Sequence, residues 1–379
     1  MTRIPTVVIG AGHLGTIHAR LANSLDRIDL LGIVDPSAAA RERVCSQVPV
    51  AGYGSLAELP RSPQAAIVAA PTALHHDLGQ QLLSQGIHVL MEKPITVDSG
   101  QARELVETAR RHEAVLQVGH VERFNPAFCL LTERVNRAKF IQTRRFSEYT
   151  FRSTDVGVVL DLMIHDLDLV LSLVDSPVAQ VDAVGISVMG EHEDIAHARL
   201  EFENGTVANL EVSRCSFVRE RSVQVFADNG YVQADLTSRL VKSVAPQGDM
   251  LSRAVDFLGQ TQEQRNQVRA DLFTQWLPIV EETAPEANAI LDEQRDFVRA
   301  IETRHAPRVS GVEGARALEV AERVLAEINE HAWYGKSLPV RGPLSIPLPR
   351  VVGVDEPGSS EVSLVPGRET QEERQRRAG

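Results

Sequence analysis

The residues best able to do chemistry fall in three short stretches. Asp161 and His165 lie four apart in an apolar run from Asp155 to Asp168, so a helix there sets them side by side on one face, with Asp168 three further on. The run is apolar on nearly every side, as a buried helix is, and buried ionisable groups need partners. Asp161 and His165 are therefore expected to bond each other or a group in a cleft. A carboxylate beside an imidazole fixes its tautomer and stabilises the imidazolium, which makes histidine a better base near neutral pH. The same pair could equally pin a core helix. Zinc is the weaker use of Asp161, His165 and Asp168, because no separate His or Cys cluster completes a ligand shell.

The second stretch is Glu92-Lys93-Pro94, directly after the apolar run Val89-Leu90-Met91. A lysine at the end of a buried strand sits over the edge of a sheet, where its ammonium donates to a substrate oxygen; a structural ion pair of Glu92 with a neighbour is the alternative. Pro71-Thr72-Ala73-Leu74-His75 follows another apolar run in the same way. The third stretch, Gly10-Ala11-Gly12-His13-Leu14-Gly15, follows a strand and opens a helix. Its first glycine permits a tight turn, the second lets the backbone approach a pyrophosphate, and the third allows the helix to pack closely on the sheet. The helix that opens at His13 and Leu14 offers free N–H groups and a partial positive charge to phosphates. Asp35 ends the next strand twenty residues after Gly15, where a carboxylate accepts hydrogen bonds from the ribose hydroxyls of NAD and repels the extra phosphate of NADP. NAD is thus the expected cofactor.

These stretches need elements to hold them. Strand candidates at Thr6–Ile9, Leu30–Val34, Ala65–Ala70, Ile87–Met91 and Val115–Val118 alternate with helical patterns over Leu14–Ser24, Ala38–Cys45, Leu74–Gln85 and Ser99–His112. That order predicts an α/β half with a doubly wound parallel sheet. After Phe124-Asn125-Pro126 come a helix, an apolar helix near Val156–Val174, and then strand-rich sequence from Ala183 to Ala234, with Glu203-Asn204-Gly205 and Asp228-Asn229-Gly230 as turns. This part reads as an antiparallel sheet. Residues 248–282 read as polar and helix-like, and Glu286–Ile328 as two helices separated by Pro307 and Gly311. The proline-rich stretch Lys336–Gly379 reads as an extended arm or a disordered tail.

Together, Gly10-x-Gly12-x-x-Gly15, Glu92-Lys93-Pro94, Arg123-Phe124-x-Pro126 and Asp161-x-x-x-His165 resemble the glucose-fructose oxidoreductase/inositol dehydrogenase (Gfo/Idh/MocA) family of NAD(P)-dependent sugar oxidoreductases. Gly119–Pro126 and Asp155–Asp166 look most like its branch that oxidises UDP-N-acetylglucosamine at C3. The resemblance implies a Rossmann domain over residues 1–122 and a substrate-binding, oligomerising α+β domain over 123–335 with a large, mostly antiparallel open sheet, followed by the tail 336–379. It also implies roles. Lys93 holds the substrate hydroxyl and assists its deprotonation, His165 is the general base, and Asp161 orients it or joins the relay. Pro71, Thr72, His75, Glu92 and Lys93 join the glycine loop and Asp35 around the cofactor. Lys93, Arg123, Asn125, Arg152 and His165 contact substrate. Thr72 stands where many members carry Asn, and the tail has no counterpart in the family core. The product would be a 3-keto sugar, usually passed to an aminotransferase on the way to a 3-amino sugar of lipid A or a surface polysaccharide. Another sugar, an inositol, or a silent NAD-binding sensor are the competing readings.

Bulk composition narrows the partners. With 39 basic and 51 acidic residues the net charge is −12, a field that disfavours nucleic acid and anionic membranes. An anionic UDP-sugar therefore needs placed cations, for which Arg123, Arg144, Arg145 and Arg152 are candidates. Cys45, Cys129 and Cys215 are far apart with no CxxC, which suits a reducing compartment. Met1–Ile9 lacks the long apolar core of a signal peptide, and no apolar stretch approaches the roughly 18 residues of a membrane span. A cytoplasmic homodimer or homotetramer is expected.

Overall fold

In the computed structural model, which describes residues 2–151, 156–248, 256, 258–333 and 340–345, the first sheet is built from β1 (Ile4–Ile9), β2 (Ile28–Val34), β3 (Gly52–Tyr53), β4 (Ala65–Val68), β5 (His88–Met91) and β6 (Leu116–Val118). All pair in parallel, in the order β3-β2-β1-β4-β5-β6. Val7, Val8, Ala66, Ile67, Val68 and Val89 are wholly buried, because helices cover both faces and leave the strands no polar side. Between the strands run α1 (His13–Ser24), α2 (Ala38–Cys45), α3 (His75–Leu83) and α4 (Ser99–Arg111). Ser37 and Asp98 cap α2 and α4, accepting from the amides of Ala40 and Gln101, which satisfies amides that helix starts leave free. The strand order reverses between β1 and β4, so their carboxyl ends open a crevice where ligands bind.

After α5 (Pro126–Arg134) the chain enters a second sheet with β7 (Ala138–Phe146). A π turn over Val159–Met163 leads into α6 (Ile164–Leu173), and β8 (Val178–Ser187), β9 (Ile195–Phe202), β10 (Val207–Ser213), β11 (Glu220–Ala227), β12 (Gly230–Asp235) and β13 (Leu240–Val244) follow. α7 (Gln262–Asp271), β14 (Ile279–Thr283), α8 (Ala289–Thr303) and α9 (Gly311–Glu330) precede the short strands β15 (Ala332–Trp333), β16 (Val340–Arg341) and β17 (Leu344–Ser345). The nine-stranded order is β14-β13-β12-β11-β7-β10-β9-β8-β17, antiparallel except at β7–β10 and β8–β17. Side chains alternate along each strand. On β7, Ile141, Thr143 and Arg145 are buried, while Phe140, Gln142 and Arg144 face the other way. On β11, Val223 and Val225 point inward with Arg221, opposite the outward Phe226.

α8 returns to the first sheet: its Phe297 and Val298 join Ile4, Val8, Ile28 and Ile33 in one apolar cluster. Residues up to Ser345 therefore make one compact unit. Besides β3, β7 and β13, for which the sequence reading gave no strand, three elements differ from it. β14 lies in a stretch read as polar helix, because an edge strand with Glu281 and Glu282 carries no buried alternation. The apolar helix near Val156–Val174 is a π turn followed by α6. Within the proline-rich stretch, residues 340–341 and 344–345 are strands, β16 pairing with β15 and β17 with β8. An edge strand tolerates the adjacent Pro343 because its outer N–H groups are not needed. Among the described residues no helix is long and apolar enough to cross a membrane.

Candidate active site

The glycine loop is shaped by contacts that only glycine allows. Gly10 has φ +101°, and a side chain there would meet the Ala69 carbonyl. A Cβ on Gly15 would fall 1.8 Å from the Gly10 carbonyl oxygen, so α1 presses directly on the turn. Gly12 has nothing within 4 Å of its Cβ position and, as the residue before α1, contributes no side-chain cap. The first amides of α1 are thus open to an anion. Asp35, at the end of β2, accepts from the amides of Ala11 and Ser37, each at 2.8 Å. A carboxylate retains further lone pairs for ribose hydroxyls, so the loop, the helix start and Asp35 fit NAD. His13 and Leu14 are exposed beside this opening.

At the end of β5, Glu92 and Lys93 turn in different directions. Glu92 bonds His18 of α1 at 2.7 Å, and Gln294 of α8 donates to the other nitrogen of His18 at 2.9 Å. Burial works to raise the Glu92 carboxyl, but the His18 hydrogen bond and charge, with Lys93, hold it below the usual range. Neighbouring Glu293 is pushed well above that range by burial, then by Glu92 and Asp296. Lys93 Nζ donates to the Asp161 main-chain carbonyl at 2.8 Å and lies 3.6 Å from its carboxylate. Burial lowers the Lys93 ammonium below its ordinary value, opposed by Asp161 and Glu92. The Lys93–Pro94 bond is cis. His75 is buried, with one ring nitrogen 2.9 Å from the Pro94 carbonyl and the other 2.9 Å from that of Ala70. It thereby ties the ends of β4 and β5 together. Pro71 and Thr72 lie on the more open side of this turn.

His165 arrives from the π turn and α6. Such turns widen a helix and often mark functional sites, and here the turn directs the Asp161 carbonyl at Lys93. Asp161 and His165 do not bond each other; the Asp161 carboxylate faces Lys93 instead. His165 is partly buried, and its Nδ1 has no hydrogen-bond partner among the described residues. Burial, then the charges of Lys93 and Arg145, drives its imidazole well below the ordinary value, so it is a neutral acceptor. Asp168 goes elsewhere, to Arg123 at 3.2 Å, and burial lifts its carboxyl to about 7 against the pull of Arg123. The three candidate ligands of the sequence reading thus part company. Among the described residues no cluster suited to a metal ion is gathered.

The cations are sorted by sheet alternation. Arg145 is buried in a three-part ion network, donating to both Asp166 oxygens and, at 2.8 Å, to Glu122. Arg144 lies on the opposite face with Glu211, away from the site. Arg221 sits directly across from Arg145 in the sheet, 3.7 Å from Glu122 and half exposed. Two expected substrate contacts are engaged within the protein. Asn125 caps α5, accepting from Ala127 and donating to Glu122 and Leu236, so both of its N–H groups and one lone pair of its oxygen are taken. Arg123 donates to Asp168 and to the Arg308 carbonyl. Arg152 lies outside the described residues. Sequence reasoning missed Arg221, His120 and the Glu122–Arg145–Asp166 network. The alternation of β11 pointed to Arg221; no local signal marks the burial of His120.

Comparisons with known proteins fit this geometry. Residues 4–120 match an oxidoreductase family with an NAD-binding Rossmann fold, and residues 133–233 match the GFO/IDH/MocA C-terminal domain. A UDP-N-acetylglucosamine 3-dehydrogenase from Acidithiobacillus ferrooxidans is 30% identical, covering 86% of this chain and 97% of the relative. A solved structure of such an enzyme from that organism superposes with a TM-score of 0.76 at 28% identity, over 86% of this chain and 98% of the other. A myo-inositol 2-dehydrogenase from Thermotoga maritima is 25% identical over 82% of this chain and 92% of its own length.

Proposed function

The chain belongs to the GFO/IDH/MocA family of NAD-dependent oxidoreductases, and from that premise we propose that it oxidises the 3-hydroxyl of UDP-N-acetylglucosamine to the 3-keto sugar. The observation that carries the chemistry is the meeting of Lys93, Asp161 and His165 at the carboxyl edge of the first sheet. NAD, when bound, accepts the hydride from the carbinol carbon. The glycine loop and the start of α1 hold its pyrophosphate, and Asp35 its ribose. Lys93 donates to the substrate hydroxyl and stabilises the alkoxide charge as it develops. His165 takes the hydroxyl proton. Asp161 fixes Lys93 through both its carbonyl and its carboxylate, so its role is to aim the lysine. Glu122 and Asp166 neutralise Arg145, which steadies α6 behind His165.

The choice of sugar rests on the 30% identical relative and its near-complete coverage. A diphosphate needs a cation within this acidic protein. Arg221, half exposed on the inward face of β11, is the one we assign, with Arg152 as a second contact. The likeness to an inositol dehydrogenase favours a second reading, the same hydride chemistry on an inositol. Oligomer formation is proposed on the outer face of the second sheet, where Phe226 remains exposed beside Phe140 and Tyr231. We place a 3-keto-sugar aminotransferase as the consumer of the product.

The test is incubation of the protein and NAD with a panel of UDP-sugars and inositols, following NADH absorbance and product mass. An aminotransferase added to the assay draws off the ketone. NADH formed with UDP-N-acetylglucosamine, and a ketone two mass units lighter or, with the aminotransferase, an amine one mass unit lighter, supports the reading. Turnover of an inositol alone replaces it with the second reading. Product without net NADH marks a reaction in which the cofactor is reoxidised within one turnover.

A further inference from the structure

His120 follows the end of β6 and Gly119, whose own close approach to Glu92 leaves no room for a side chain. The ring is 1% exposed, and neither nitrogen has a hydrogen-bond partner among the described residues. It stands at right angles to His165, with ring centroids 6.1 Å apart. A buried imidazole without partners is costly, and the adjacent orphan is the buried Nδ1 of His165. The carboxylates that would ordinarily orient a histidine base are taken: Asp161 faces Lys93, and Asp166 is held by Arg145.

We propose that His120 is a positioning residue for His165: through one bridging water it accepts the Nδ1–H of His165, which leaves the Nε2 lone pair of that base facing the substrate hydroxyl. The spacing is too long for a direct N–H···N bond between the rings and suits a single water. When the hydroxyl proton moves to His165 Nε2 and the hydride leaves to NAD, the new imidazolium keeps its Nδ1–H on that water, so no further proton transfer is required. His120 is itself excluded as the base. It is fully enclosed, whereas His165 is partly open. The groups facing the two rings are Lys93 from β5, Arg123 from the turn after β6, Arg145 from β7 and Arg221 from β11. All are cations, each with a carboxylate beside it, Asp161, Asp168, Glu122 or Asp166, so a neutral acceptor adds no further positive charge against the new imidazolium.

This inference rests on reading His165 as the general base. Its test is chosen so that a wrong substrate leaves it answerable. Histidine ring 15N labelling reports the tautomer of His165 by NMR without turnover, its signals assigned from His165→Gln. Wild-type protein should show His165 in the Nδ1–H form. His120→Phe should turn it into a mixture of tautomers, and His120→Asn, which keeps a side-chain acceptor at that position, should restore the single form. With whichever sugar or inositol the wild type oxidises, His120→Phe should lower kcat about 10–100-fold and move the acid limb of the pH profile, with NAD affinity unchanged. An unaltered His165 tautomer in folded, NAD-binding His120→Phe overturns the proposal, whatever the substrate proves to be. A tautomer shift in a protein that oxidises none of the panel upholds the positioning role and rejects the substrate reading instead.

Discussion

In the proposed reaction Lys93 and His165 divide the work between a charge that must be present and a lone pair that must be free. Lys93→Met and His165→Ala are expected to leave NAD binding intact while lowering turnover roughly 10²–10⁴-fold, the scale of an acid–base group; cofactor titration and steady-state kinetics on the same preparations check both halves. The directions of their pKa shifts set a pH dependence. His165 is held well below 6.5 by burial and by Lys93, so the base remains deprotonated until the pH falls through that lowered value, and the acid limb of kcat/KM should lie below 6.5. Lys93 is lowered from 10.5 by burial, so its ammonium is lost as pH rises through the lowered value, and the alkaline limb should lie below 10.5. Rate measurements across pH 4–11 locate the two limbs; an acid limb above 6.5 would reject a neutral, buried base. Lys93, Asp161 and His165 were legible as candidates because each sits in a short run whose period places it at a strand end or on a helix face. Their pairing was not, since the direction of the Asp161 carboxylate depends on the π turn and on Lys93, 68 positions away.

Elements carry the second set of consequences. The two glycines that frame the start of α1 look alike in the motif and differ in the fold. Gly15→Ala places a methyl against the Gly10 carbonyl and should destabilise by about 1–3 kcal/mol, as overpacking does. Gly12→Ala meets only open space, so denaturation should be nearly unchanged while Kd for NAD rises about tenfold or more, equivalent to about 1.4 kcal/mol. Equal loss of stability in both variants would count against the cofactor geometry. α8 brings Glu293 against Glu92, and burial raises the Glu293 carboxyl well above 4.5. The folded state then holds a proton that the unfolded chain has released, so above pH 4.5 wild-type stability falls with rising pH until the raised value is passed. Glu293→Gln mimics the protonated acid and should escape that loss, gaining on wild type by at most about 1.4 kcal/mol per pH unit over the window. Thermal melts of both proteins from pH 5 to 9 show whether the gap widens. The parallel sheet was readable from its alternation of short apolar strands and helices. β14 was not, because an exposed edge strand has no buried face to leave a pattern.

At the scale of the whole molecule, a net charge of −12 coexists with anionic ligands because cations are gathered locally, with Lys93, Arg145 and Arg221 all acting on His165. The boundary of the folded unit can be tested by truncation. A chain ending at Ser345 should melt and bind NAD as the full chain does, since the compact unit reaches that residue. A chain ending at Gly335 removes β16 and β17 from their partners β15 and β8 and should melt lower by scanning calorimetry. Identical melting of the two truncations would show that these strands contribute nothing measurable. By itself the sequence determined the α/β architecture, the dinucleotide loop, and the lysine and histidine proposed to do the chemistry, because strand, helix and loop signals are written within a few residues of one another. Only the tertiary structure decided which partner each ionisable group has. Arg144 and Arg145 are adjacent in the chain yet lie on opposite faces of a sheet, and His18 meets Gln294 across 276 positions. Burial and field are properties of what packs around a group, and that packing is assembled from segments distant in sequence.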